Sequence, residues 1–349
     1  MPQDKDAQLQ IKQIGEMLDD GLILVHPDGA IVAANASAVR HFGEDLVGNS
    51  IVNVIKHPDI KALLAEAVAG KTNLELKYES FEIVKREFRL RMKRLAGGPV
   101  ALLILDMTSQ RNLEKVRRDF VANVSHELRS PLTSLVGFIE TILSGEMSDP
   151  KMQTRFLKIM DEEATRMSRL VDDLLSLSRV EVEEHIKPDK TVKLVELLHS
   201  VKDRLAVQAN RKNMKIIVKQ DGCLNGLTPL LIFGNHDEIT EVFVNLLENA
   251  VKYGFDNTEI ILAIYNDGQG TVRIDVINEG EGVEEKHLPR LTERFYRVDK
   301  ARSRKIGGTG LGLAIVKHII NRHRGKLTIS STIRETTKFS VDFPLAPGR

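Results

Sequence analysis

At 349 residues the chain is too long for one ordinary hydrophobic core, so its length predicts two or three domains. Its 42% hydrophobic and 28% charged residues are typical of a globular protein, and 50 Lys and Arg against 49 Asp and Glu give no support to nucleic-acid binding. The single cysteine, Cys223, excludes an intramolecular disulfide and a Cys-rich zinc site, and no apolar run reaches the roughly 18 residues of a membrane-spanning helix.

Residues 8–108 have the pattern of a small α/β module. Two apolar runs flank a turn within Leu22–Asn35 and predict a hairpin. The other predicted elements are a helix with Ile11, Ile14, Met17 and Leu18, helices Ala36–Phe42 and Ile60–Ala69, and strands Leu74–Phe81, Glu87–Leu95 and Val100–Leu105. This order, and the exit at Asp106–Thr108 into a helix, resembles a PAS sensor domain. The alternative is an unrelated α+β domain used for dimerisation.

Residues 109–186 predict a helical hairpin. Apolar residues recur every three or four positions at Leu113, Val116, Phe120, Val124, Leu128, Leu132, Leu135, Ile139 and Ile142, and again at Phe156, Met160, Met167, Leu170, Leu174 and Leu177. Turn-forming residues over Ser144–Pro150 separate the two runs. Two such stripes cannot both be buried by one hairpin, so we expect a symmetric dimer that forms a four-helix bundle.

The first of these helices carries the sequence F-V-A-N-V-S-H-E-L-R-S-P at Phe120–Pro131. His126 lies two residues from both Val124 and Leu128, about 200° around the helix from each. It therefore points away from the apolar stripe, with Glu127 beside it. A purely structural coiled coil does not explain this outward pair followed by Pro131.

Residues 190–346 predict an α/β sandwich with helices on one face of a mixed sheet. The predicted elements are helix Leu194–Asn210, strands Lys215–Lys219 and Leu231–Phe233, a helix from Asp237 to Tyr253, strands Glu259–Tyr265 and Thr271–Asn278, a helix from Leu311, and strands Lys326–Ser330 and Lys338–Phe343.

A polar stripe runs along the helix that ends at Tyr253. Its members, Glu241, Asn245, Asn249 and Lys252, are spaced by three or four residues and share one face. Amide and carboxylate oxygens suit Mg²⁺, which binds proteins through few ligands and binds phosphate readily. A solvated helix face is the alternative interpretation of this stripe.

Two glycine-rich loops follow that helix. Asn278–Val283 comes after a strand, and Gly307–Leu313 opens a helix, where unhindered N–H groups favour an anion. Between the loops lie six cations that could close over a triphosphate or form an ordinary exposed basic loop: Arg294, Arg297, Lys300, Arg302, Arg304 and Lys305.

Together these motifs resemble the bacterial two-component sensor histidine kinases. The resemblance is carried by the H box Phe120–Pro131, the N box Glu241–Tyr253, the G1 loop Asn278–Val283, the F box Arg294–Arg297 and the G2 loop Gly308–Leu313, in the family's order. With the PAS-like region they cover nearly the whole chain. The sequence around His126 and the sequence L-T-E-R-F-Y-R-V-D look most like those of the phosphate-regulon sensor kinases.

The resemblance implies a multidomain α+β protein: a PAS-like domain at 8–108, a dimeric histidine phosphotransfer hairpin at 109–186 and a Bergerat-fold ATP-binding domain at 190–346. It implies autophosphorylation of His126, with Glu127 as general base and orienter. Mg²⁺ would be held by Asn249, supported by Asn245 and Glu241. ATP would be held by Asn245, Asn249, Lys252, Tyr253, Asn278, Gly280, Gly282, Arg297, Gly308, Thr309, Gly310, Leu311 and Gly312.

Two departures from the family pattern affect these expectations. Asn278 replaces the usual Asp of the G1 loop, which removes a fixed charge from the nucleotide site. Ser130, four residues after His126, stands where Thr or Asn is commoner in kinases that also dephosphorylate their regulator, although it keeps a hydroxyl.

Three hypotheses follow. The first is an active Mg·ATP-dependent homodimeric kinase that passes its phosphoryl group to an aspartate of a response regulator receiver domain. The second is a catalytically weak scaffold that binds the regulator, and the third is an ATPase of the wider gyrase- and chaperone-like group. We expect a cytoplasmic protein or the cytoplasmic part of a membrane-bound kinase. The PAS-like domain would receive a small-molecule or protein signal, and the segments Asp106–Phe120 and Arg179–Thr191 are the expected regulatory linkers.

Overall fold

The protein was analysed as a computed structural model that describes residues 15–80, 85–96, 98–144, 149–220, 230–266, 270–299 and 308–346. The chain divides into two compact units, Met1–Val121 and Ala122–Arg349. The predicted helix around Ile11 lies largely outside the described residues, as do four of the loop cations, Lys300, Arg302, Arg304 and Lys305.

The first unit contains a five-stranded antiparallel sheet. Its strands are β1 (Gly21–Val25), β2 (Ile31–Ala34), β3 (Leu74–Ser80), β4 (Arg86–Arg94) and β5 (Val100–Asp106), in the spatial order β2-β1-β5-β4-β3. Helices α1 (Ala36–Phe42), α2 (Ile51–Val54) and α3 (Ile60–Val68) lie between β2 and β3 in sequence. Ile23, Leu90 and Leu102 of the sheet and Ile51 and Ile60 of the helices form one buried core. The sequence pattern predicted each of these elements except α2.

Hydrogen bonds hold the exit from this sheet in one geometry. The backbone N–H of Glu87 donates to the Thr108 hydroxyl, at 3.0 Å. The N–H of Thr108 in turn donates to the Asp106 carboxylate at 2.9 Å. Because Asp106 ends β5 and Thr108 begins the next helix, the strand passes directly into that helix, as its sequence predicted.

Two long helices follow, α4 (Thr108–Leu143) and α5 (Pro150–Glu183). Pro131 lies inside α4 and does not end it. Phe138 and Phe156 pack across the pair, with ring centroids 4.8 Å apart. Large apolar side chains of α4 remain exposed in the single chain: Leu113, Val116, Val121, Leu132, Val136, Ile139 and Leu143. Among the described helices, none is both long and apolar enough to cross a membrane.

The rest of the second unit is a two-layer α/β structure. Its mixed sheet has the order β11-β12-β10-β9-β7, with β7 (Lys215–Gln220), β9 (Glu259–Asn266), β10 (Thr271–Glu279), β11 (Lys326–Ser331) and β12 (Thr336–Pro344). Only the β7–β9 pair among these is parallel. Strands β6 (Thr191–Lys193) and β8 (Leu231–Phe233) form a small second sheet. The helices are α6 (Leu194–Asn210), α7 (His236–Tyr253) and α8 (Gly312–Arg322), with a 3₁₀ helix at Glu285–Arg290.

Capping and burial explain the position of α7. The Asn235 side chain accepts a hydrogen bond from the Asp237 N–H, so the helix begins one residue before the predicted start at Asp237. Its apolar face, with Val242, Phe243 and Leu246, is fully buried. The polar stripe predicted on the opposite side is thereby turned away from the core. Strand β6 and the 3₁₀ helix were not predicted, because three-residue strands and single turns carry little periodicity.

A buried ionic cluster joins the end of α5 to the sandwich. Arg322, in the last turn of α8, donates to the Ile186 carbonyl (3.1 Å) and pairs with Glu183 at 2.8 Å. It also pairs with Glu238, whose side chain is only 2% exposed. A buried charge is stable only when paired, so these three contacts act as a unit.

His323 is a neutral structural residue beside that cluster. Its Nε2 accepts from the Asn235 N–H at 3.1 Å, and its Nδ1 donates to the Ile319 carbonyl at 2.7 Å. Burial lowers the pKa of His323, and the charge of Arg322 acts in the same direction. The Glu238 carboxylate, 3.9 Å from Nδ1, is the facing group of opposite sign.

We expect His323 to make folding sensitive to mild acid. The unfolded chain takes up a proton at this residue near pH 6.5, whereas the folded chain takes it up only at a lower pH, so stability falls as the pH drops below 6.5. The slope is at most about 1.4 kcal/mol per pH unit. Melting temperatures between about pH 7.5 and 5 should fall less steeply for His323→Gln than for the wild type. His236→Gln, at an exposed position, is the control; equal slopes in all three proteins would contradict this role.

Candidate active site

A cavity of about 360 Å³ lies between α7, α8 and the loops that follow β10. This volume is within the usual range for small-molecule sites, roughly 300–1,000 Å³. The lining residues are Arg169, Asp173, Asn245, Glu248, Asn249, Lys252, Tyr253, Asn278, Gly280, Glu281, Gly282, Val283, Leu291, Tyr296, Arg297, Val298, Asp299, Gly308, Thr309, Gly310, Gly312, Leu313, Thr337 and Phe339.

The polar face of α7 forms one wall. Asn245, Glu248, Asn249 and Lys252 all reach the cavity. Lys252 Nζ contacts the Glu248 carboxylate at 2.9 Å. The Asn245 amide nitrogen donates to the Glu241 carbonyl at 3.0 Å, which leaves its Oδ1 facing Gly312. The wall therefore presents amide and carboxylate oxygens next to one cation.

Two of the residues predicted to hold Mg²⁺ or ATP do not line the cavity. The Glu241 carboxylate accepts a hydrogen bond from the Ser176 hydroxyl of α5, at 2.7 Å. The Leu311 side chain is fully buried in the core, and its N–H donates to the Thr309 hydroxyl at 3.3 Å. Glu248, which the sequence analysis did not select, lines the cavity; it lies three residues after Asn245, so the same helical spacing could have found it.

The loop after β10 approaches α7 at its glycines. A Cβ on Gly280 would lie 2.7 Å from the Tyr253 carbonyl oxygen, so only glycine fits there. Gly282 has a φ of +73° and is packed against the backbone of Thr332. Asn278, only 3% exposed, donates from Nδ2 to the Glu279 carbonyl at 3.2 Å, which leaves Oδ1 as its acceptor atom.

The loop before α8 forms the opposite wall. Gly310 has a φ of +76°, and a Cβ there would lie 3.0 Å from Phe295 Cα. A Cβ on Gly312 would lie 2.5 Å from Asn245 Oδ1. These contacts bring the amino-terminal end of α8, whose first N–H groups have no partner within the helix, against α7.

Arg297 links the cavity to the helical hairpin. Its guanidinium is 5% exposed and donates from Nη2 to the Thr309 carbonyl (2.8 Å) and to the Glu127 carboxylate (3.2 Å). Arg166 of α5 binds the same Glu127 oxygen, also at 3.2 Å. His126 and Ser130, on the same helix as Glu127, are exposed. The predicted phosphoacceptor therefore lies next to a residue that contacts the cavity wall.

Asp173 of α5 makes the second link. Its carboxylate accepts a hydrogen bond from the Thr309 hydroxyl at 2.6 Å. Burial raises the pKa of Asp173, and the negative charges of Glu241 and Glu248 add to this, while the Thr309 hydrogen bond opposes it. Asp173 lies between apolar positions of an amphipathic helix, so nothing in the local sequence marked it.

Comparison with known proteins identifies the family. Residues 116–183 match the His Kinase A (phospho-acceptor) domain, and residues 234–347 match the histidine kinase-, DNA gyrase B-, and HSP90-like ATPase. The phosphate regulon sensor protein PhoR of Pseudomonas aeruginosa is 35% identical over 337 residues, covering 96% of this chain and 74% of PhoR. The chain belongs to the sensor histidine kinase family.

Other relatives agree with this assignment. The sensor histidine kinase WalK of Bacillus subtilis is 30% identical over 340 residues, and WalK of Staphylococcus aureus (strain Newman) is 32% identical over 335 residues. Each match covers 94% of this chain and 54% of the relative, so the kinase chain spans about half the length of WalK.

Solved structures share the fold. Histidine kinase ThkA, in a crystal with response regulator protein TrrA, superimposes with a TM-score of 0.52 at 21% identity, covering 94% of this chain and 96% of ThkA. The Acinetobacter baumannii histidine kinase AdeS gives a TM-score of 0.50 at 20% identity, covering 63% of this chain and 98% of AdeS. The predictions of a histidine kinase and of a helical region joined to an α/β ATPase fold are confirmed.

Proposed function

We propose that the chain transfers the γ-phosphoryl group of Mg·ATP to His126 and then to an aspartate of a response regulator receiver domain. The observation that carries this proposal is the contact of Arg297, in the cavity wall, with Glu127, the neighbour of His126. Arg297 thus contacts the residue next to the proposed acceptor. This contact supports a reaction that joins ATP in the cavity to the acceptor histidine.

Different cavity residues bind the adenine and the phosphates of the nucleotide. Asn278, Gly280 and Gly282 take the flat adenine side, because the glycines allow close backbone approach. Lys252, Arg297 and the N–H groups of Gly308–Gly312 take the phosphates, since they supply positive charge and donors. Tyr253 lies beside the adenine end.

The donor set of α7 fits a magnesium ion. Asn249 and Asn245 offer amide oxygens and Glu248 a carboxylate, all on the cavity wall. We assign Glu248, in place of Glu241, as the carboxylate of this site. When bound, Mg²⁺ neutralises charge on the β- and γ-phosphates.

His126 and Glu127 carry the chemistry. The neutral imidazole nitrogen forms the N–P bond while the bond from the γ-phosphorus to the bridging oxygen breaks and ADP leaves. Glu127 accepts a hydrogen bond from the ring and receives its proton. Most of the rate enhancement comes from positioning and charge neutralisation. Ser130 keeps a hydroxyl near the acceptor and supports a regulator phosphatase activity.

The remaining parts have roles in assembly and sensing. The exposed apolar side chains of α4 favour pairing with a second copy in a four-helix bundle. The ThkA–TrrA crystal contains a kinase of similar fold with its response regulator, which supports regulator docking on this chain. The five-stranded sheet and small helices of residues 21–106 support a PAS-type sensor domain for a small-molecule or protein signal.

An autophosphorylation assay with an Asn278 variant tests this function. The 349-residue chain incubated with γ-labelled ATP and Mg²⁺ should acquire acid-labile, alkali-stable label, and EDTA should prevent it. Asn278→Asp restores a charged acceptor and should tighten ATP binding by roughly 1 kcal/mol, about five- to tenfold. Label on Asn278→Asp but none on the wild type would instead favour the scaffold hypothesis. Release of free phosphate with no protein label would favour the ATPase hypothesis.

A further inference from the structure

We propose that two carboxylates of the hairpin, Asp173 and Glu127, bind protein groups that would otherwise hold the phosphates, so that an incoming triphosphate must displace them. The inference rests on the proposed function, because it concerns regulation of the same site. We call the pair of contacts Asp173–Thr309 and Glu127–Arg297 the carboxylate catch.

The first contact lies at the anion-binding end of α8. Thr309 precedes the eleven-residue helix α8, in a loop that lines the cavity. Its hydroxyl donates to Asp173 at 2.6 Å, a short hydrogen bond typical of a charged acceptor. A protein carboxylate thus binds at the position where a helix N-terminus favours an anionic ligand.

The second contact occupies the most buried cation of the cavity wall. Arg297 is 5% exposed, and one of its nitrogens is shared between the Thr309 carbonyl and Glu127. The same loop residue, Thr309, therefore belongs to both contacts. Arg166 also binds Glu127, so this carboxylate keeps one cationic partner when Arg297 turns to a phosphate.

Electrostatics make the catch incompatible with a bound triphosphate. Asp173 already lies near Glu241 and Glu248, and the raised pKa of Asp173 reflects burial first and these charges next. Lys252 is the cation that offsets them from α7. Several further negative charges in the same cavity would be strongly repelled by an ionised Asp173. Phosphate and carboxylate therefore compete for Thr309.

Displacement has a consequence at His126. Once Arg297 binds a phosphate, Glu127 loses that partner and becomes available to the neighbouring imidazole. Binding of the nucleotide and release of Glu127, the proton acceptor, from Arg297 then occur together. Only molecules in which the catch is open bind the nucleotide. The apparent nucleotide affinity is therefore the intrinsic affinity multiplied by the fraction of molecules with an open catch.

The test measures binding of Mg·AMPPNP to the full-length protein by titration calorimetry. Asp173→Asn keeps the shape and removes the charge, and it should bind roughly fivefold or more tightly. Asp172→Asn is the matched control, since it removes the same charge from the adjacent exposed position, and it should bind like the wild type. An Asp173→Asn affinity equal to that of either the wild type or the control overturns the proposal.

A second variant separates binding from chemistry. Glu127→Gln should also tighten Mg·AMPPNP binding while it lowers the rate of His126 labelling, because it frees Arg297 but removes the proton acceptor. Unchanged or weaker binding in a folded Glu127→Gln protein, checked by circular dichroism, argues against the catch. If the wild type is labelled on His126 but neither variant binds more tightly, only the catch is wrong. If the wild type neither binds Mg·AMPPNP nor is labelled, the proposed function itself fails.

Discussion

Replacing His126 with glutamine should abolish the acid-labile phosphoryl label while ATP binding stays unchanged. The loss should be at least roughly a thousandfold, because glutamine has no nucleophilic nitrogen of comparable strength. His126 is exposed and does not line the cavity, so neither the fold nor the nucleotide site depends on it. Label is measured on the intact protein after alkaline electrophoresis, and AMPPNP binding is measured in parallel.

His199 provides the control for this experiment. It lies on α6, exposed and outside the cavity lining, so His199→Gln removes an imidazole without touching the site. His199→Gln should be labelled like the wild type. Label that persists in His126→Gln would place the phosphoacceptor elsewhere, and loss of AMPPNP binding in the same variant would show that His126 serves the nucleotide site.

Replacing Arg322 with methionine should cost roughly 3–5 kcal/mol of stability, a large fraction of the total for a domain of this size. Methionine has a comparable volume but leaves Glu238, 2% exposed, without its cation. Burial raises the pKa of Glu238, and Arg322 is the group that opposes this shift most. The variant also loses the hydrogen bond to the Ile186 carbonyl and the pair with Glu183.

Denaturation followed at the tyrosines measures this effect. Three of the four tyrosines, Tyr253, Tyr265 and Tyr296, lie in the second unit, so their signal reports mainly on it. The double variant Glu238→Leu/Arg322→Met removes both buried charges and should recover most of the loss. Arg273→Met breaks a partly exposed pair with Asp342 and should cost less than about 1 kcal/mol. Equal losses for Arg322→Met and Arg273→Met would contradict the structural role of the buried cluster.

Local sequence determined the elements and much of the site. The apolar period of α4 directed His126 outward, and the two glycine loops marked both walls of the cavity, because glycine allows the close backbone approach at Gly280 and the positive φ at Gly282 and Gly310. The polar stripe on α7 followed from the helical period, and its neighbour Glu248 obeys the same spacing. These features depend on residues within a few positions of each other, so they can be read without a fold.

Only the tertiary structure decided which distant side chains meet. Glu127 and Arg297 are 170 residues apart, Asp173 and Thr309 are 136 apart, and Glu238 and Arg322 are 84 apart. Glu238 and Arg322 meet because α7 packs against α8, whereas Arg297 and Thr309 reach α4 and α5 from loops, and no local pattern encodes either arrangement. The same packing bonds Glu241 to Ser176 and keeps it off the cavity wall. The sequence by itself therefore determined the motifs of a kinase, and only the tertiary packing decided that Glu127 of α4 contacts Arg297 and that Asp173 of α5 contacts Thr309.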